Sequence, residues 1–261
     1  MTQKKYRKQH HNQFISQVII YLILMALVSG SLYYVVFRSG LFTVKEIQVE
    51  GTHRISGGDI RELSGIQLGE QFYGINLAES AKAIEFHPYV REAALTRKGV
   101  STINIVVRER EEYAIIPYMG SYISLDEEKV VLNVSDGILG SNVCLITGIE
   151  FINFQTGKEA EVHNKESLHT AYQILEAARE ADILDMISEI NVDQSGQVKI
   201  VTFNGIDALL GYMKNPAYSV LALKEALITL HTRNMNNVII DMRFDGHITV
   251  QEKARQEDED D

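Results

Sequence analysis

The chain has a single cysteine, Cys144, among its 261 residues, so no disulfide can close within it. A domain of ordinary size can build its core without one. Cys144 lies in the apolar run Val143-Cys144-Leu145-Ile146, where a buried thiol is expected rather than a reactive one. The common catalytic signatures are missing as well: there is no GxSxG, no GxxxxGK[ST], no GxGxxG and no HExxH. The eight histidines never fall at i and i+4 on one helix, and His163 and His169 straddle a helix start, a poor spacing for a metal. Asp126-Glu127-Glu128 could coordinate a cation, but three adjacent acids in a hairpin are expected to form a solvated turn. No catalytic residue, cofactor or metal site is assigned, and the chain is expected not to be an enzyme.

Charge is missing from two places that matter more. Residues 14–37, FISQVIIYLILMALVSGSLYYVVF, contain no Asp, Glu, Lys, Arg or His. As a helix this run is about 36 Å long, enough to cross a hydrocarbon core of about 30 Å. With no ionisable group it lines no transport pathway. Tyr21, Tyr33 and Tyr34 lie toward its ends, where their hydroxyls reach the interface. The first thirty-eight residues also lack any acid, while Lys4, Lys5, Arg7 and Lys8 precede the span. That bias puts a basic tail, residues 1–13, in the cytoplasm and the remainder outside. A cleaved signal peptide competes, since Val28-Ser29-Gly30 resembles a cleavage site. The apolar run continues to Phe37, however, which favours a retained single-pass anchor.

Beyond Arg38 lie all 35 acids and all but five of the 25 bases, a net charge of about −15. An acidic ectodomain is a poor nucleic-acid binder and is repelled by an anionic membrane surface. Its length suits one large or two ordinary domains.

The first of these domains is expected over residues 42–110. Phe42 to Glu50 alternates as a strand, Ser56 opens a short helix from Asp59 to Leu63, and Asn76 caps another over Leu77 to Phe86. Strands follow over Tyr89 to Arg97 and Thr102 to Arg110, with Ile47, Val49, Ile103, Ile105 and Val107 as core. The order strand–helix–helix–strand–strand makes an α+β unit with helices over one sheet face. The phrases FTVKEIQVEGTHRIS, GIQLGEQFYGINL and FHPYVREAALTRKGVSTINIVVRER, in that order after an anchor, resemble the POTRA domain of the bacterial FtsQ/DivIB division family. The segment EYAIIPYMGSYISLDEEKVVL, a hairpin leading to an acidic turn, resembles the same family.

Residues 111–251 read as a second, strand-rich α+β domain with two helices. Asn164 caps Lys165 to Asp182, whose buried stripe is Leu168, Ala171, Tyr172, Leu175 and Ala178; Asn215-Pro216 opens a second helix with the stripe Val220, Leu223, Leu227 and Leu230. Ile187 to Asp193 and Gln197 to Phe203 form a hairpin, Asn204-Gly205 turns into Ile206 to Leu210, and the last strands are Val238 to Arg243 and His247 to Gln251. The acidic end, residues 252–261, is expected to be disordered. A strand near the end of the chain, with no later element to cover it, is expected to form a sheet edge open to a partner segment, with Ile248 and Val250 on one side and His247 and Thr249 on the other. The resemblance implies a non-catalytic divisome scaffold at the septum of the plasma membrane. It implies that Phe244, Asp245, Gly246, His247, Ile248, Thr249 and Val250 hold FtsL-like and DivIC/FtsB-like coiled-coil partners. It also implies other divisome membrane proteins as partners of the POTRA domain. The family often has tryptophan near this edge; this chain has none. A membrane-anchored cell-wall enzyme and a POTRA-bearing export or assembly factor are the alternatives.

Overall fold

The computed structural model describes residues 3–38, 40, 42–137, 143–244 and 247–253. Its first element, α1 (Gln3–Arg38), is one unbroken helix. The basic tail expected as a separate segment is therefore helical from Gln3, with no proline before Pro88 to stop it. Within α1, the 20 residues Ser16–Val35 are long and apolar enough to cross a membrane, and none of them is buried.

The chain divides into two compact units, Met1–Phe86 (which includes α1) with Val90–Glu109, and His87–Tyr89 with Arg110–Asp261. The first contains β1 (Glu46–Glu50), α2 (Gly57–Leu63), α3 (Leu77–Glu85), β2 (Val90–Lys98) and β3 (Thr102–Glu109). Its sheet has the order β1-β3-β2, with β1 parallel and β2 antiparallel to β3. Side-chain oxygens of Ser56 and Asn76 accept the backbone N–H of Asp59 and Glu79, satisfying donors that each helix start leaves open. Ile103, Ile105 and Val107 are buried on the central strand. Ile47 and Val49, expected as core, are only half-buried, because β1 is an edge strand with a neighbour on one side. The strand expected from Phe42 is also shorter: Val44 turns inward and donates its N–H to Glu70 O at 2.9 Å, so this stretch pairs with residues 70–72 instead.

At the end of β3, the Glu109 carboxylate accepts the backbone N–H groups of His53, Arg54 and Ile55 at 3.1, 2.8 and 3.0 Å. Partial burial works against its charge, but these three donors and the neighbouring His53 hold its carboxyl below the ordinary value. The loop after β1 is thereby fixed to the central strand.

In the second unit the elements are β4 (Ala114–Tyr118), β5 (Ser121–Leu125), β6 (Val131–Ser135), β7 (Leu145–Thr147), β8 (Phe151–Asn153), β9 (Glu161–Val162), α4 (Lys165–Glu180), β10 (Ile187–Val192), β11 (Gln197–Thr202), β12 (Asp207–Tyr212), α5 (Pro216–Thr232), β13 (Val238–Phe244) and β14 (His247–Glu252). Nine strands make one mixed sheet in the order β14-β13-β12-β11-β10-β7-β4-β5-β6, while β8 and β9 pair separately. The buried stripes of α4 and α5 meet Ile146, Ile190, Ile200, Ala208 and Ile240 of the sheet in one core. Strands β7, β8 and β9 are three, three and two residues long, too short to carry a readable alternation. β7 is nevertheless central, lying parallel to both β4 and β10.

The acidic turn is a correction. Asp126 is 2% exposed, not solvated. Its Oδ1 accepts the N–H groups of Glu128 and Val130 at 2.9 and 2.8 Å, and Oδ2 pairs with Arg110. The same guanidinium nitrogen bonds Glu128 at 2.6 Å. Tyr172 donates its hydroxyl to the Asp126 carbonyl at 2.8 Å, which fastens α4 to the turn.

Cys144 is 3% exposed, and burial pushes its thiol up to about 12. Since the thiolate is the reactive form, maleimide at neutral pH should leave Cys144 unmodified in the native protein. Complete labelling is expected only in denaturant; rapid native labelling, followed by mass, would contradict this burial.

Candidate partner-binding edge

β14 is the terminal strand of the nine-stranded sheet and pairs with β13 alone among the described residues. A strand in that position presents one row of backbone donors and acceptors to solvent. All six residues of β14 are exposed. The pairing runs Ile239 with Gln251, Ile240 with Val250 and Asp241 with Thr249, then jumps to Phe244 with His247. Met242 and Arg243 thus oppose Ile248 alone, a bulge on the inner strand that leaves β14 itself regular.

Two charged contacts hold this corner. Arg243 donates Nε and Nη2 to the Asp241 carboxylate at 2.9 and 2.6 Å. Those bonds lower the Asp241 carboxyl to about 2. At the far end of β14, the Lys253 ammonium donates to Gly205 O at 2.8 Å and to Asp207 Oδ1 at 2.7 Å. Asp207 is also met by Lys199 at 2.8 Å. Burial opposes its charge, but the two ammonium groups keep its carboxyl below the usual range. The edge strand is therefore pinned at its end rather than left to fray.

On one side of β14 the surface is apolar. Ile248 and Val250 line a groove of about 480 Å³ together with Ala222, Ala226, Leu230 and Met235, and with Glu225, Thr229 and Arg233 as polar members. The two small alanines of α5 leave the space open. Phe244, paired with His247 and so on the sheet face opposite Ile248 and Val250, is 67% exposed. Of the residues expected to bind a partner, Phe244, His247, Ile248, Thr249 and Val250 lie together on this edge. Asp245 and Gly246 lie outside the described residues. The groove-lining residues of α5 were not expected. Their signal was present in the sequence: Leu221, Ala222, Ala226 and Ile228 extend the apolar surface of α5 beyond its core stripe, more than a helix needs to bury one face.

Among the described residues no group of three or more His, Cys, Asp or Glu side chains is placed to hold a metal ion.

Residues 42–110 match the family model of the POTRA domain, FtsQ-type. The chain is 25% identical over 175 residues to the cell division protein DivIB of Clostridium acetobutylicum, covering 67% of this chain and 65% of that protein. It is 27% identical over 177 residues to the cell division protein FtsQ of Anaeromyxobacter, covering 67% of this chain and 59% of that one. The chain is a relative of the FtsQ and DivIB proteins. The matched FtsQ-type POTRA residues lie in the first of the two units, apart from residues 87–89 and 110, and the alignments span less than two thirds of these relatives' own lengths. Among solved structures, the major extracytoplasmic domain of DivIB from Geobacillus stearothermophilus shows a slight likeness, with a TM-score of 0.27 at 13% identity over 49% of this chain and 98% of that one.

Proposed function

We propose that this FtsQ/DivIB relative is a single-pass scaffold of the bacterial division machinery. Its N-terminus lies in the cytoplasm and the chain beyond the span lies outside, at the septum, where it helps regulate cell-wall synthesis without catalysing it. The edge strand β14, with the groove beside it, captures a segment of an FtsL-like or DivIC/FtsB-like coiled-coil partner. The observation that carries this reading is the conjunction of an edge strand paired on one side alone among the described residues with an apolar groove beside it, and with Phe244 exposed at the end of β13. A docked segment gains main-chain hydrogen bonds from the edge and buries alternate side chains in the groove. The apolar span supports the anchor, and the excess of basic residues before it supports the orientation.

The test is capture of a purified DivIC-like partner by the full-length protein in detergent. Ile248→Glu puts a carboxylate on the groove wall, and Phe244→Ala removes the exposed ring. Each is expected to weaken capture at least tenfold, equivalent to about 1.4 kcal/mol or more. Both positions are exposed, so circular dichroism should be unchanged. Wild-type capture by the folded double variant would rule out this edge as the site.

A further inference from the structure

β14 is an edge that can pair with itself. Natural sheet edges are commonly blunted by lysine, proline or a bulge, yet His247-Ile248-Thr249-Val250-Gln251-Glu252 carries none of these. We propose that two copies of this chain associate by antiparallel pairing of β14 with β14, about a two-fold axis through Thr249. Sequence and groove fit that axis in two independent ways.

The first is register. Residues directly opposite in an antiparallel pair point to the same sheet face. Centred on Thr249, Ile248 faces Val250 of the second copy and Val250 faces its Ile248, all four on the groove side. His247 faces Gln251 of the second copy on the other side, and the two threonines meet on the axis. A shift by one residue would set Ile248 opposite Gln251 and forfeit the apolar match.

The second is charge. Glu225 and Thr229 of α5 and Arg233, its C-cap residue, follow one another at i+4 spacing, and all three line the groove with Ile248 and Val250. A two-fold axis that brings Thr229 toward its mate places Glu225 opposite Arg233 of the second copy, and Arg233 opposite its Glu225. Neither residue forms an ion pair within the chain among the described residues. The contact is thus charge-balanced locally although each ectodomain is strongly acidic, and the remaining like charges are screened beyond about 8–10 Å at physiological salt. Each edge then loses its exposed row of donors and acceptors, as an isologous interface requires.

Dimer formation does not depend on the proposed partner. If that reading also holds, self-pairing and partner capture use the same edge and exclude each other.

Cysteine cross-linking of the full-length protein in lipid vesicles tests the register. Thr249→Cys should form a disulfide-linked dimer under mild oxidant, far exceeding Val100→Cys, an exposed control in the POTRA domain. His247→Cys and Gln251→Cys should cross-link when mixed and not when either is alone. Native Cys144 is buried and stays silent, and its resistance to maleimide reports that each variant is folded. Glu225→Arg in the Thr249→Cys background should slow cross-linking about fivefold, the scale of two lost rim ion pairs. Adding Arg233→Glu should restore it. Dimer yields from Thr249→Cys no higher than the Val100→Cys control would overturn the proposal. So would a His247/Gln251 mixture that behaves like its separate components.

Discussion

Replacing Arg110 with methionine is expected to destabilise the second unit by about 3–5 kcal/mol, the cost of leaving a buried carboxylate without its cation. Asp126 is 2% exposed and Arg110 15% exposed at their side chains, so solvent screens this pair little. The Arg110 guanidinium is itself held in the charged form: burial opposes its charge, but bonds to Asp126 and Glu128 outweigh that and raise its pKa. Methionine keeps most of the aliphatic stem and removes only the charge and its donors. The backbone bonds from Glu128 and Val130 to Asp126 Oδ1 would remain. What is lost is compensation for the negative charge. Asp126→Asn should therefore rescue the methionine variant, since the amide oxygen can still accept both N–H groups. The double variant should recover more than half of the loss. Urea unfolding of all four members of this cycle measures the coupling. A loss below about 1 kcal/mol for Arg110→Met would place the pair with ordinary surface ion pairs instead.

That pair also marks where sequence reasoning stopped. Local signals were legible: Asn76, Asn164 and Asn215 each cap the helix expected of them, and the turns before β11 and β12 join the strands expected of them. These depend on residues within a few positions of each other. The partner of Asp126 is sixteen residues away and that of its carbonyl forty-six, so three consecutive acids looked like a solvated turn. Likewise β7 has three residues and gains its place only by parallel pairing with β4, about thirty positions earlier, and with β10, more than forty positions later. Ile47 and Val49 show the converse limit. Their alternation fits a strand, but whether a strand is central or at an edge follows from topology, which no window along the chain contains.

The candidate edge was partly legible for the same reason. That β13 and β14 would close the chain as a strand pair followed from their alternation and the Asp-Gly between them. The groove could not be placed without α5 lying beside β14, a long-range fact. Once placed, Ala222 and Ala226 explain why the space is open: a leucine at either position would fill it. The same helix uses Val220, Leu223, Leu227 and Leu230 for the core. It divides its apolar surface between holding the fold and shaping the edge, and only the first use was expected.

Substituting Gly148 with alanine is expected to be the most damaging single-methyl change in the second unit. Gly148 follows β7 directly and has a φ of +84°, a region that costs an L-residue about 1–2 kcal/mol. A Cβ there would also overlap the Val192 carbonyl oxygen and lie 2.9 Å from its carbon. Both obstacles are backbone, in the neighbouring central strand β10, so no side chain can rotate away. Relief requires β7 to move from β10, loosening the layer that carries Ile146 and Ile190, both fully buried. The combined loss should exceed about 3 kcal/mol, the range reserved for strain at special backbone positions and core disruption. Gly196→Ala provides the control. It has a similar φ of +87° in the β10–β11 turn, but a Cβ there meets nothing within 4 Å. It should show the conformational cost alone, about 1 kcal/mol. The difference between the two variants in urea midpoint, at equal slope, isolates the overlap. Equal midpoints would mean that β7 and β10 can separate freely at this end, contrary to the close approach that makes glycine necessary there.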